Sequence, residues 1–138
     1  MPTTIRKVSY AYVTAASKPG EAARILEALR DANVNLLAFS GFPQGRNQAQ
    51  IDVVTDDLDG LKAVARGRKW KLSRIKRAFL VQGTDQVGAA VAPLATIGAA
   101  NINVIAADAI AAGEGRFAMI FWVEARNYSR AAKLLDAA

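Results

Sequence analysis

Slid along itself by 68 positions, the 138-residue chain matches itself without a gap. Val13 falls on Val81, Gly20 on Gly88, Leu26 on Leu94, Ala32 on Ala100, Asn33 on Asn101, Asn35 on Asn103 and Gly45 on Gly113. Conservative pairs such as Val34 with Ile102 and Leu37 with Ile105 lie between them. An Ala-rich chain gives some matches by chance, but not paired Asn and Gly positions in register with no insertion. Self-similarity at a fixed period marks a repeated structural unit. Residues 1–70 and 71–138 are therefore expected to be two copies of one small domain plan.

Each copy reads β-α-β-β-α. In the first, residues 7–15 are β-branched and aromatic and hence strand-like, and 17–20 (SKPG) form a turn. Residues 21–33 place Ala22, Ile25, Leu26 and Leu29 on one stripe at helical spacing, with Asn33 ending the helix. A strand over 34–42, a turn at 43–47 and an alternating strand over 48–56 follow, with Ala49, Ile51 and Val53 inward and Gln48, Gln50 and Asp52 outward. Residues 57–67 are the second helix. The second copy has strands at 74–82, 102–110 and 116–124 and helices at 89–99 and 127–138. Pro93 is expected to distort the first of these helices by removing an internal hydrogen bond, and the last to be short or frayed.

A helix after one strand and again after two more implies an antiparallel sheet with both helices on one face. The fold class is α/β (α+β): two ferredoxin-like units of βαββαβ type. Residues 69–81 can supply a fourth strand to the first repeat. Nothing follows the last helix of the second, so exchange of strands between repeats is the alternative. Strand 116–124 is apolar on both faces: Phe117, Met119, Phe121 and Val123 on one, Ala118, Ile120 and Trp122 on the other. Such a strand requires a partner layer, from the other repeat or another chain.

The residue inventory removes whole classes of chemistry. Without Cys or His there are no disulfides, thiol nucleophiles, imidazole acid–base pairs or soft metal ligands. No carboxylate pair with an acid–base split stands out, and Gly113–Phe117 (GEGRF) lacks the Lys-Ser/Thr that completes a phosphate loop. No catalytic residue, cofactor or metal is expected. The N-terminus lacks signal-peptide character and no apolar run would span a bilayer, so a cytoplasmic protein without a membrane partner is expected. Net charge is +6, and eight Lys and Arg crowd residues 62–77 around Trp70. That segment is either a polyanion patch or, as favoured here, a solvated linker with Trp70 on the core. Residues 115–122 (GRFAMIFW) partly resemble an RNA-binding third strand. The other strands that would share such a stacking platform offer almost no aromatics, so a nucleic-acid partner is not expected.

Two segments, SKPGEAARILEALRDANVNL (17–36) and DQVGAAVAPLATIGAANINV (85–104), carry a turn ending in Gly, a helix, and a hydrophobic–Asn–hydrophobic step into the second strand. They resemble the ACT domain, a small regulatory module that binds amino acids or related metabolites. The family's turn is commonly Asp-x-Pro-Gly, with a Gly-Ile-Asn-Ile-like segment after the helix. The resemblance covers nearly the whole chain twice and departs at Ser17, where Asp is common, and at Val87, where Pro is. It implies a stand-alone tandem ACT-domain protein: a non-catalytic, homodimeric sensor holding a small amino acid at an interface between units, with a regulated enzyme as a further partner. By position it assigns ligand binding to Lys18, Pro19, Gly20 and Asn35, and to Asp85, Gln86, Val87, Gly88 and Asn103.

Each candidate has a plainer role beside the functional one. Gly20 and Gly88 can admit a carboxylate to helix N–H groups or simply make a turn. Asn35 and Asn103 can hold an α-amino acid or cap locally, and Asn33 and Asn101 are expected to be caps. Asp108, a lone carboxylate among small residues, can meet a ligand ammonium or Arg116, or mark an exposed edge. A structural or partner-binding module is the alternative to a sensor, and a cavity beside Gly20 or Gly88 separates the two. Exposure of Phe117 and Trp122 would favour RNA instead.

Overall fold

The computed structural model describes residues 3–138, in two compact units. The first unit is Ser9–Lys76. It comprises β1 (Thr4–Ala16) from Ser9 onward, α1 (Glu21–Asp31), β2 (Ala38–Pro43), β3 (Gln48–Val54), α2 (Leu58–Arg68) and β4 (Lys71–Leu72). Its strands run in the order β4-β1-β3-β2, antiparallel throughout. Ile25 and Leu29 of α1 and Leu61 of α2 pack on Ala11, Val13, Ile51 and Val53, which share one sheet face because strand side chains alternate. Tyr10, Tyr12, Gln50 and Asp52 take the other face, where the Lys76 ammonium lies 5.7 Å from the Tyr12 ring centre. Asp52 keeps the expected face but is buried there, accepting a 2.9 Å hydrogen bond from Gln50 Nε2.

The second unit is Arg77–Ala138 with the described N-terminal residues up to Val8. It holds β5 (Lys76–Thr84), α3 (Val91–Ala99), β6 (Val104–Gly113), β7 (Arg116–Val123) and α4 (Tyr128–Leu135). The strand order is β1-β5-β7-β6, where β1 contributes its first residues. Both units thus have a fourth-first-third-second order with helices on one face, the α+β arrangement expected. The fourth strand of the second repeat is the first part of β1, from Thr4 to Val8. The Ala138 N–H donates to the Ile5 carbonyl, and the Lys7 N–H donates to that of Ala138, tying the two chain ends together. The compact units therefore break at Val8 and Lys76, whereas the repeat alone suggested 1–70 and 71–138.

Core residues of the two units recur at the repeat spacing: Ala11 and Phe79, Val13 and Val81, Leu29 and Ile97, Val34 and Ile102, Ile51 and Met119, Val53 and Phe121. The second core is the more aromatic. Phe79 stacks on Tyr128 at 4.5 Å and tilts against Phe121 at 5.3 Å. The Tyr128 hydroxyl donates to the Ala78 carbonyl at 2.8 Å.

Several boundaries differ from expectation. All four helices end on a non-glycine residue with positive φ: Asn33, Lys69, Asn101 and Asp136. Behind each, paired N–H groups return to carbonyls of the last turn, as in Asn33 to Arg30 and Val34 to Leu29. This places Val34 and Ile102 in the cores as helix exits, so β2 and β6 start four and two residues later than 34 and 102. The last helix is short as expected, eight residues ending at Leu135, but the same cap ends it cleanly, so it is not frayed. Pro93 does not distort α3, because the helix starts at Val91 and the third residue needs no N–H partner. Residues 62–77 are not a linker: they form the end of α2, its cap and β4, with Trp70 packed against the first core.

Candidate functional site

The β1–α1 turn of the first unit borders an open groove of about 410 Å³. Gly20 caps α1 with φ 88°, a left-handed conformation in which glycine is unstrained, and with no side-chain hydrogen bond to the helix N–H groups. Lys18 and Ala22 lie on one wall. Phe39, Ser40, Gly41 and Phe42 of β2 lie opposite, and Ala49 and Ile51 of β3 complete the lining. Phe39 and Phe42 are 51% and 40% exposed, high for aromatic rings. Beside the turn, Arg24 Nη2 donates to both carboxylate oxygens of Glu21 at 2.7 Å. That hydrogen bond holds the Glu21 carboxyl below its ordinary pKa. The groove therefore offers the Lys18 cation, the Glu21 carboxylate held by Arg24, β2 backbone groups and an apolar wall of Phe39, Ala49 and Ile51.

The predicted residues do not all gather here. Lys18 lines the groove, with Pro19 and Gly20 in the same turn. Asn35 lies beyond the far end of α1, a helix about 16 Å long by the rise over its eleven residues, with Gly20 at the other end. Its carbonyl accepts from Thr55 Oγ1 at 2.7 Å. Asn103 is likewise separated from Gly88 by the length of α3 and is exposed. Asp85, Gln86, Val87 and Gly88 form the exposed turn before α3, where the Asp85 N–H donates to the Gly115 carbonyl. Asp108 is exposed on β6, the outermost strand of its unit, opposite Ile120 and not ion-paired with Arg116. Sequence reasoning missed Phe39, Phe42 and Ala49. The available signal was the contrast at one repeat position, Ala49 against Phe117.

That contrast gives the two repeats different interiors. Ala49 pairs with Ala15 and leaves the groove open, whereas Phe117 pairs with Gly83 and fills the second core. A Cβ at Gly83 would lie 2.7 Å from Thr3 Oγ1 and 3.3 Å from Phe117 Cε1, so the glycine makes room for Thr3 first and for the ring as well. Phe117 and Trp122 are both buried, which removes the stacking surface RNA would need. Among the described residues no group of acidic side chains is placed to hold a metal ion, and no helix is long and apolar enough to cross a membrane.

No protein-family model matches the chain, and no curated protein matches it. Solved structures do. The regulatory subunit of aspartate kinase from Thermus thermophilus, in its ligand-free form, superposes with a TM-score of 0.67 over 99% of this chain and 95% of that one, at 11% identity. The aspartokinase alpha and beta subunits give 0.63 over 98% and 95%, at 15% identity. The fold is ACT-like. A Bacteroides thetaiotaomicron protein gives 0.76 over 97% and 88%, at 15% identity. At such identities the likeness is one of fold.

Proposed function

We propose that this ACT-like chain is a regulatory protein that senses a small amino acid and has no catalytic activity of its own. The observation that carries the proposal is the groove beside the β1–α1 turn, kept open by Ala49. The ligand carboxylate meets Lys18 and the uncapped first turn of α1, where the helix dipole favours an anion. Its ammonium meets the Glu21 carboxylate or a β2 carbonyl, and its side chain lies against Phe39 and Ile51. The first repeat does the binding, and the second, with Phe117 in the equivalent place, is structural. Likeness to regulatory subunits of aspartate kinase supports the regulatory role. The exposed rings at the mouth favour closure by a second copy of the chain, so that binding biases the geometry between protomers and signals to a regulated enzyme.

A thermal-shift screen against the proteinogenic amino acids at millimolar concentration tests this, because a ligand of the native state raises the midpoint. One chemical class of amino acid is expected to shift the wild type. Ala49→Phe, which imports the second repeat's residue, abolishes that shift, and Lys18→Ala weakens it. A flat response across all amino acids, or a shift untouched by Ala49→Phe, would overturn the proposal.

A further inference from the structure

Also beside the same turn lies a second groove of about 460 Å³, between β1 where it pairs with β4, the end of α2, and the side of α1 that carries Glu21, Ile25 and Ala28. Lys18, Arg24, Arg68, Lys69 and Lys71 line it, together with Trp70. Arg24 is neutralised by Glu21, but among the described residues Lys18, Arg68, Lys69 and Lys71 form no ion pair. Arg68, Lys69 and Lys71 therefore line one concavity without an ion pair, together with Lys18, whose charge acts on Glu21.

Ordered backbone holds them there. Lys69 sits in the left-handed cap of α2 at φ 58°, with its N–H on the Arg66 carbonyl and that of Trp70 on the Ala65 carbonyl. Lys71 is paired with Thr14 in the β1–β4 ladder. A left-handed conformation is costly for a lysine. Like charges lining one concavity repel one another, and an anion entering it relieves that repulsion. Trp70, half-buried against the first core, gives the groove one apolar wall.

We propose that this groove is a second ligand site, for a small molecule bearing two or more linked phosphate groups. Its volume exceeds a single phosphate and suits a ligand of nucleotide size. One aromatic beside one compact concavity suits a small ligand better than a nucleic-acid strand, which needs a basic track and successive stacking rings. Because Lys18 and Glu21 border both grooves, occupancy of one is coupled to the other.

Isothermal titration of the full chain with inorganic tripolyphosphate at low ionic strength tests the site. Lys71→Gln and Lys69→Gly are each expected to weaken binding by about tenfold, the scale of one charge-assisted contact. Lys69→Gly also relieves the left-handed strain, so its thermal midpoint stays level or rises and the loss is not one of folding. Lys62→Gln, on α2 but outside the groove lining, leaves binding unchanged. Ala49→Phe leaves it unchanged too, which keeps this site separable from the amino-acid groove. Absence of binding by the wild type overturns the proposal, as does equal weakening by Lys62→Gln. An oligonucleotide that displaces tripolyphosphate with affinity growing with its length overturns it in favour of nucleic acid.

Discussion

At the scale of single residues, Tyr128 concentrates the chemistry of the second core. Its ring stacks on Phe79, its hydroxyl donates to the Ala78 carbonyl, and the Arg77 guanidinium lies 4.5 Å from the ring centre. Burial pushes its pKa above the ordinary 10.0, only partly offset by Arg77. A folded pKa above the unfolded one means that the stability it contributes is complete below about pH 10 and is lost as pH rises through the folded value. Alkaline denaturation monitored at the tyrosinate band is therefore expected to show weakening above that pH, and Tyr128→Phe to remove this component. At neutral pH the same variant costs about 1–2 kcal/mol by leaving the Ala78 carbonyl without its donor, measurable by urea unfolding. Glu21 behaves oppositely. Held below 4.5 by the Arg24 hydrogen bond, its carboxylate stabilises the turn above that pH and loses the contribution as pH falls through the lowered value.

Elements were legible where periodicity or turn chemistry dictated them, and obscured where a local cap overrode the pattern. The alternation in 48–54 gave the faces of Ile51 and Val53 correctly, because period two allows only one inward set. The start of β2 was misplaced because Val34, apolar and next to an apolar run, is a helix-exit contact rather than a strand residue. The resemblance groups Asn35 at the start of the second strand with the β1–α1 turn, but α1 separates the two in space. Pro93 misled because its cost depends on the unseen start of α3. Asn33 and Asn101 were read rightly as caps, since Asn tolerates positive φ better than other non-glycine residues. Asn101→Gly is accordingly expected to stabilise by about 0.5 kcal/mol and Asn101→Val to cost about 1–2 kcal/mol, as thermal melts would show. No penalty for Asn101→Val would remove the cap from this explanation.

At the scale of the whole chain, the repeat located both cores but concealed the second unit's fourth strand. That strand is the first part of β1, inside the first repeat, and no alignment of one half on the other reveals it. Ile5 packs against the second core, and the Ile5 and Lys7 backbones hold Ala138. Deleting the chain up to Val8 is thus expected to strip hydrogen-exchange protection from β5 and the end of α4 while β3 stays protected. Uniform loss across both units would contradict that division.

The groove of the first unit was half legible. Lys18 and Gly20 came from the turn, whereas Phe39, Phe42 and Ala49 required the fold to bring β2 and β3 beside it. The most direct test is a two-dimensional amide spectrum of the labelled chain, titrated with the amino acid that gives the largest thermal shift. The amides of Lys18, Gly20, Ala22, Phe39 and Gly41 are expected to move together with one saturation curve. Perturbations confined to Asp85–Gly88 and β6, or none at all, would contradict an amino-acid site in the first unit.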